Sequence, residues 1–189
     1  QRAMGVGRGA GAAGLRTRMT LPMHAPTRGW SADSPPPAGV AEDLLGWLQE
    51  PGSLTVRLAR RWPDVAVQVL SEGLAQPLPD EARRLILDHP ASAWVRRVRL
   101  VGGGAVRLRA RTVIPHWEPG NPWSAVQRLG TRALGELLFS LPGLQRSGFE
   151  WSSNTDPTGR EVWSRRCVHT HRGATLLLTE TFLAVTGPD

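Results

Sequence analysis

The feature that most constrains the fold of this chain is a run of three glycines between two strand-like segments. Residues 94–101 and 105–114 are rich in valine, leucine and arginine, and Gly102, Gly103 and Gly104 separate them. Glycine adopts the positive φ angles that tight hairpin turns require. The two segments are therefore predicted to pair as an antiparallel hairpin.

A second hairpin is predicted near the C-terminus, where Arg172-Gly173 separates residues 161–171 from residues 175–184. The last segment is apolar except for threonines and one carboxylate, Glu180. A carboxylate among leucines is costly to remove from water unless it is paired or used. We therefore expect Glu180 to face a cation or a ligand.

Arg96 is the matching cation. Because side chains alternate along a strand, Arg96 shares a face with Trp94 and Val98 and is expected to point inward. The hairpin's other arginines are typical of a solvated sheet face: Arg97, Arg99, Arg107, Arg109 and Arg111. We predict that Arg96 and Glu180 lie on adjacent strands and face each other across a polar cavity, which suits a small anionic ligand with a distal hydroxyl.

Two pairs of short helices are predicted. The first pair consists of a helix at residues 41–48 and a second helix that begins after an N-cap at Ser53 and runs to Trp62. The second spans residues 123–129 and 133–139 around a glycine. A DNA-reading helix would be basic and polar, whereas the last of these helices is Leu/Gly/Phe-rich, so we interpret the pair as a cover over an apolar cavity.

The composition fits one domain of 189 residues in which no apolar run approaches the roughly 18 residues of a membrane helix. The single cysteine, Cys167, excludes an internal disulfide and fits a reducing compartment. No metal site is expected, because His169 and His171 have no third ligand nearby and such a pair usually lies at an edge or surface.

Residues 1–38 are predicted to be a disordered or non-native extension, because they are rich in glycine, alanine and proline. Residues 1–31 hold five of the 23 basic residues and no acid, which leaves 18 basic and 16 acidic residues in the remainder. The net charge of +7 therefore indicates a basic tail rather than a nucleic-acid-binding face. The composition resembles a transit peptide, but we favour an upstream extension of the reading frame, with Met19 or Met23 as the natural start, because the segment shows little amphipathic pattern.

Six segments of the body resemble the chorismate–pyruvate lyase family when they are taken in order. They are Gly-Ser-Leu-Thr between two helices at 52–55, Trp-Val-Arg at 94–96, Ala-Arg-Thr-Val-Ile-Pro at 110–115, Leu-Gly-Thr-Arg-Ala-Leu-Gly-Glu-Leu-Leu-Phe at 129–139, Trp-Ser-Arg-Arg at 163–166 and Leu-Thr-Glu-Thr-Phe-Leu at 178–183. No single segment is decisive, but their order and spacing extend the resemblance over residues 41–184.

The resemblance implies a single α+β domain at residues 39–189, with a six-stranded antiparallel sheet and two helix-turn-helix flaps over an internal ligand cavity. It implies conversion of chorismate to 4-hydroxybenzoate and pyruvate, the first step of bacterial ubiquinone biosynthesis, with no metal or organic cofactor. We further expect a cytoplasmic monomer that binds this substrate and these products, but neither nucleic acid nor the membrane.

The resemblance also assigns residues. It implies that Arg96 binds the ring carboxylate, that Glu180 lies at the ligand hydroxyl, and that backbone groups of Leu54 and Leu134 complete the substrate-binding site. Arg111 is implied to line the ligand region, where it could hold the enolpyruvyl carboxylate. Catalytic roles therefore fall to Glu180, Arg96 and Arg111, with Glu180 acting as a base, an acid or a hydrogen-bonding group.

Three alternatives remain open at the level of sequence. The chain could be a non-catalytic aryl-acid-sensing domain, related to the effector-binding domains of bacterial regulators. It could instead form a different hydroxybenzoate, such as 3-hydroxybenzoate, from chorismate. Arg96 and Glu180 could also be a buried ion pair that only holds the sheet together.

Overall fold

The computed structural model describes residues 29–32, 40–87 and 92–186. Its elements, in chain order, are α1 (Glu42–Leu48), α2 (Leu54–Arg61), β1 (Ala66–Ala75), α3 (Pro79–Arg84), β2 (Ala93–Gly102), β3 (Ala105–Ile114), a 3₁₀ helix (Ser124–Arg128), α4 (Leu134–Ser140), β4 (Gln145–Arg146), β5 (Glu150–Thr155), β6 (Glu161–His171) and β7 (Ala174–Phe182). The predicted α+β class and antiparallel sheet are confirmed.

One antiparallel sheet organises the domain, in the order β1-β2-β3-β7-β6-β4, with β5 also paired to β6. Both predicted hairpins are present. Gly103 and Gly104 turn β2 into β3 with φ angles of 55° and 71°, and Arg172 and Gly173 turn β6 into β7 with φ angles of 49° and 80°. Residues distant in sequence are thereby fixed in register across the sheet.

The sheet has seven strands among the described residues, so the prediction of six is wrong. The two-residue β4 pairs with Thr170 and His169 of β6, whereas β5 pairs with residues 161–166 of the same strand. Both short strands therefore occupy one edge of β6. The pairing register shifts by one residue between Arg146 and Glu150, although the Ser147 N–H still donates to the Val168 oxygen at 2.9 Å, and this irregularity divides what would be a sixth strand into two.

Helices α1, α2 and α4 and the 3₁₀ helix cover the two halves of one sheet face, whereas α3 packs on the other face. Ser53 caps α2 as predicted, because its Oγ accepts a hydrogen bond from the Val56 N–H at 3.4 Å. Helices α1 and α2 contribute to a core with Trp151, Trp163 and Phe182. The 3₁₀ helix and α4 pack in a second core, over Ile114 and Leu176. The first helix of this second pair was predicted to be longer, but the chain forms only a single 3₁₀ turn there.

Part of the predicted N-terminal extension contacts the domain. Ser31 exchanges two backbone hydrogen bonds with Trp151 of β5, at 2.9 and 2.8 Å, and the Trp30 indole donates to Asp80 at 2.8 Å. The boundary predicted at residue 38 therefore lies too late for these residues. The rest of the predicted extension, with Met19 and Met23, lies outside the described residues. Within the described ranges, no helix is long and apolar enough to cross a membrane.

Candidate active site

A cavity of about 380 Å³ lies between the sheet and the two helix pairs. This volume is in the range of small-molecule binding sites. Four of the five predicted site residues line it: Leu54, Arg96, Leu134 and Glu180. Strands β2, β3, β7 and β6 form its floor, and the first turns of α2 and α4 form part of its cover.

Arg96 is almost fully buried, with 2% of its surface exposed. Its Nη2 donates hydrogen bonds to the backbone oxygens of Gly130 at 2.8 Å and Arg132 at 3.2 Å. Its Nη1 is buried and has no hydrogen-bond partner among the described residues, although Glu72 lies 3.6 Å away as an ion pair. Burial lowers the pKa of Arg96, and Glu72 partly opposes this shift. The free donor of a buried guanidinium is suited to bind a carboxylate.

Glu180 pairs with Arg165 rather than with Arg96. The Nε of Arg165 donates to Glu180 Oε2 at 2.7 Å. Glu180 faces Ala110 of β3 in the strand register, and β3 separates β7 from β2, so Arg96 and Glu180 are not on adjacent strands. That expectation was wrong, and so is the alternative in which the two residues form an ion pair. Both side chains nevertheless line the same cavity.

Arg165 is a cavity residue that the sequence analysis did not assign to the site. Besides Glu180, its guanidinium binds the backbone oxygens of Leu48 at 3.0 Å and Glu50 at 2.7 Å. It therefore holds the end of α1 and the turn before α2 against the cavity face of the sheet. The signal was available, because the Arg172-Gly173 turn pairs residue 171 with 174 and, without a bulge, Arg165 with Glu180.

Arg111 lies outside the cavity, which contradicts the expectation that it lines the ligand region. Its side chain forms two hydrogen bonds with Glu81 of α3, at 2.6 and 3.0 Å, on the opposite face of the sheet. A β-bulge between Leu100 and Val101 is the cause. It shifts the hairpin register by one residue, so that Thr112 rather than Arg111 lies opposite Arg96.

Leu54 and Leu134 are the first residues of α2 and α4. The N–H groups in the first turn of a helix have no acceptor within the helix, so they are available to a ligand or water. The two helix starts also approach each other closely. A Cβ added at Gly135 would lie 2.9 Å from the Ser53 Oγ. The cover of the cavity is therefore formed by two flaps in direct contact.

A cysteine and a histidine on β6 complete the polar lining. Burial raises the pKa of Cys167 to about 12, with Glu180 adding to the effect, and burial lowers the pKa of His169 to about 4, with Arg146 and Arg165 adding to it. Both groups are therefore neutral near pH 7, and the thiol sulfur lies 3.4 Å from His169 Nε2.

The two histidines of β6 are buried, with 5% of His169 and 6% of His171 exposed, so the predicted edge or surface position is wrong. His171 packs against the Trp123 ring at 5.8 Å. Among the described residues, no group of three or more His, Cys, Asp or Glu side chains could hold a metal ion.

The sequence is similar to a family of known proteins. A family profile described as "Chorismate lyase" matches residues 34–187. A probable chorismate pyruvate-lyase of Thiobacillus denitrificans is 38% identical over 153 residues, which cover 74% of this chain and 82% of that protein. One of Hydrogenovibrio crunogenus is 36% identical over 150 residues, which cover 74% of this chain and 81% of that protein.

Among solved structures, the effector domain of PhnF from Mycobacterium smegmatis superposes with a TM-score of 0.49 at 11% sequence identity. The match covers 70% of this chain and 89% of that domain. A superposition at this level supports no statement about function.

Proposed function

The chain belongs to the chorismate lyase family, and we propose that it is a carbon–oxygen lyase that eliminates pyruvate from chorismate to give 4-hydroxybenzoate. The observation that carries this proposal is the buried guanidinium of Arg96. It presents a free donor in the cavity that also contains Glu180. A cation and a carboxylate on one cavity wall match a ligand with a carboxylate at one end and a hydroxyl at the other.

The charge of the cavity supports a dianionic substrate. Four arginines line it, at positions 96, 132, 146 and 165, together with a single acid, Glu180. Chorismate carries a ring carboxylate and an enolpyruvyl carboxylate. We place the ring carboxylate on Nη1 of Arg96, where a charge-assisted hydrogen bond would satisfy a buried donor that has an ion pair with Glu72 but no hydrogen-bond partner among the described residues.

The chemistry requires little from the protein besides orientation. The bond between C3 and the ether oxygen breaks, and the C4 proton leaves. The C3–C4 double bond then completes the aromatic ring, and the departing enolpyruvate gains a proton to become pyruvate. Because aromatisation supplies much of the driving force, the protein must chiefly hold the ring, exclude water and manage one proton.

Glu180 is assigned to the C4 hydroxyl in this proposal. Its Oε2 receives the Arg165 hydrogen bond, so the carboxylate is held in a fixed position on β7. A carboxylate bonded to a guanidinium is an acceptor, and this favours receiving the hydroxyl hydrogen over donating a proton to the ether oxygen. The backbone N–H groups of Leu54 and Leu134 would close the site from the flaps.

Product analysis tests the function. The purified protein is mixed with chorismate in buffer that contains EDTA, and the products are separated by chromatography. Equal amounts of 4-hydroxybenzoate and pyruvate are expected. Formation of 3-hydroxybenzoate would indicate the other hydroxybenzoate synthase. Absence of turnover by folded protein that still binds 4-hydroxybenzoate would indicate the sensing domain and overturn the proposal.

A further inference from the structure

The second carboxylate of chorismate has no assigned partner. Arg96 accounts for the ring carboxylate, and Arg111 lies on the far face of the sheet. An anion enclosed in the cavity without a compensating cation or donor would be costly to desolvate. The cavity should therefore contain another group that faces the enolpyruvyl carboxylate.

The arginines of the cavity differ in the hydrogen bonds that they already form with other groups of the protein. Arg165 is bound to Glu180 and to two backbone oxygens. Arg132 lies at the Arg96 end, since its own backbone oxygen accepts a hydrogen bond from Arg96. Arg146 lies on β4 at the other end, where its Nη1 binds the Pro51 oxygen at 2.9 Å and its guanidinium lies 4.6 Å from the Phe149 ring centroid. Arg146 thus lies beside Arg165 on the β6 side of the cavity and, among the described residues, forms fewer hydrogen bonds with protein groups than Arg165 does.

His169 is the direct strand partner of Arg146. The two residues face each other in the register of β4 and β6, and both line the cavity. His169 is 95% buried, since 5% of its surface is exposed, and its Nδ1 has no hydrogen-bond partner within the part of the chain that the structure describes. A buried donor in this condition destabilises the protein unless a ligand satisfies it.

The Cys167 contact explains why Nδ1 can be a donor. Burial raises the pKa of the Cys167 thiol to about 12, so the sulfur keeps its hydrogen near neutral pH. The thiol can donate to His169 Nε2 across 3.4 Å, and a neutral imidazole with an accepting Nε2 carries its hydrogen on Nδ1. This tautomer offers an N–H to an anion.

The position of the pair fits the second carboxylate. Strand β6 is three strands from β2, which is about 14 Å between backbones, and β7 with Glu180 lies between them. Arg96 and the pair Arg146/His169 therefore lie on opposite sides of one cavity. In the strand register, Glu180 lies two residues to one side of the level of Arg96, and His169 lies two residues to the other side.

We propose that Arg146 and His169 form a subsite for the enolpyruvyl carboxylate of chorismate, with the guanidinium supplying charge and Nδ1–H supplying a buried hydrogen bond. This inference rests on the proposed lyase function and assigns the part of the substrate that distinguishes chorismate from 4-hydroxybenzoate. The subsite is occupied by the substrate and empties when pyruvate leaves. It should therefore affect substrate binding without affecting product binding.

Four variants test the subsite. Arg146→Gln and His169→Leu remove the two interactions, Arg146→Lys retains the charge, and Arg83→Gln makes the matched change at an exposed position of α3 outside the cavity. For each protein, kcat and KM for chorismate are measured together with the Kd for 4-hydroxybenzoate. Arg146→Gln and His169→Leu should raise the chorismate KM by about tenfold or more, because each removes a hydrogen bond to a charged group. The product Kd should stay within about twofold in every variant.

The outcomes separate the subsite from the function. Turnover by the wild-type protein with an unchanged chorismate KM in Arg146→Gln overturns the subsite and leaves the lyase function intact. An equal loss of product and substrate affinity also overturns it, because the two residues would then only support the cavity. Absence of turnover by the wild-type protein would contradict the lyase function, and it would also contradict the subsite, which rests on that function. Arg146 is exposed, so its variants should fold even where His169→Leu does not.

Discussion

Replacing Arg96 with glutamine should separate ligand binding from folding. The change removes the guanidinium charge and the free Nη1 donor, while an amide remains that can still approach the Gly130 oxygen. Loss of one partner from a buried charge pair typically costs 2–5 kcal/mol of binding free energy. At 1.4 kcal/mol for each factor of ten, the Kd for 4-hydroxybenzoate should rise by about 30-fold to several thousand-fold.

Isothermal titration with 4-hydroxybenzoate measures this change, and thermal unfolding reports whether each variant is folded. Arg96→Lys is an informative companion, because it keeps the charge but loses the planar fork, and it should recover only part of the affinity. Arg128→Gln is the matched control, since it removes an exposed arginine of the 3₁₀ helix that does not line the cavity. Folded Arg96→Gln protein that binds 4-hydroxybenzoate within about threefold of wild type would refute the carboxylate contact.

Three further predictions concern Glu180, Arg111 and His169. Glu180→Gln should lower kcat by about 10²–10⁴ while 4-hydroxybenzoate still binds, and an unchanged kcat in steady-state assays would exclude a role in proton management. Arg111→Gln should lower the free energy of unfolding by about 3–5 kcal/mol, because it leaves Glu81 buried without its ion-pair partner. The chorismate KM of the folded enzyme should stay unchanged. A rise in KM without a loss of stability would show that Arg111 contacts the substrate. Burial lowers the pKa of His169 to about 4 from 6.5, so the unfolded chain binds more protons between these pH values. The free energy of unfolding should therefore fall by about 3 kcal/mol as the pH drops through this window. Denaturant titrations at several pH values should show that the free energy of unfolding depends less on pH in His169→Leu than in the wild type. An unchanged pH dependence would contradict the lowered pKa of His169.

The second hairpin shows how much of the site the sequence contains. The Arg172-Gly173 turn fixes the register of β6 and β7 without a bulge, so the pairing of Arg165 with Glu180 follows from counting residues back from the turn. This pairing was missed because the carboxylate was matched to Arg96 on the strength of strand faces alone. Alternation identifies which face a residue occupies, but the order of strands in the sheet decides which residues meet across it.

The first hairpin shows what pattern reasoning could not supply. Counting back from the triglycine turn places Arg111 opposite Arg96, on the cavity face. The bulge next to Leu100 shifts this register by one residue and moves Arg111 to the other face. A bulge of this kind depends on packing around Arg107, whose side chain donates hydrogen bonds to the oxygens of Gly102 and Ala184. The local sequence does not predict it.

The cover of the cavity was predicted in outline only. Ser53 was identified as the cap of α2 because its side chain precedes a helical pattern, and the structure confirms it. The close approach of Ser53 to Gly135 joins two segments more than 80 residues apart, and it arises from the packing of both helix pairs on the sheet. The monomeric state and cytoplasmic location stay predictions.

A crystal structure of the protein with 4-hydroxybenzoate would test the assignment of Arg96 and Glu180 to the ligand most directly. We expect one molecule in the cavity, with its carboxylate within hydrogen-bond distance of Arg96 Nη1 and its hydroxyl at Glu180. The space beside Arg146 and His169 should remain open to the enolpyruvyl group. A ligand that binds in the reverse orientation, or outside this cavity, would contradict the assignment of the site.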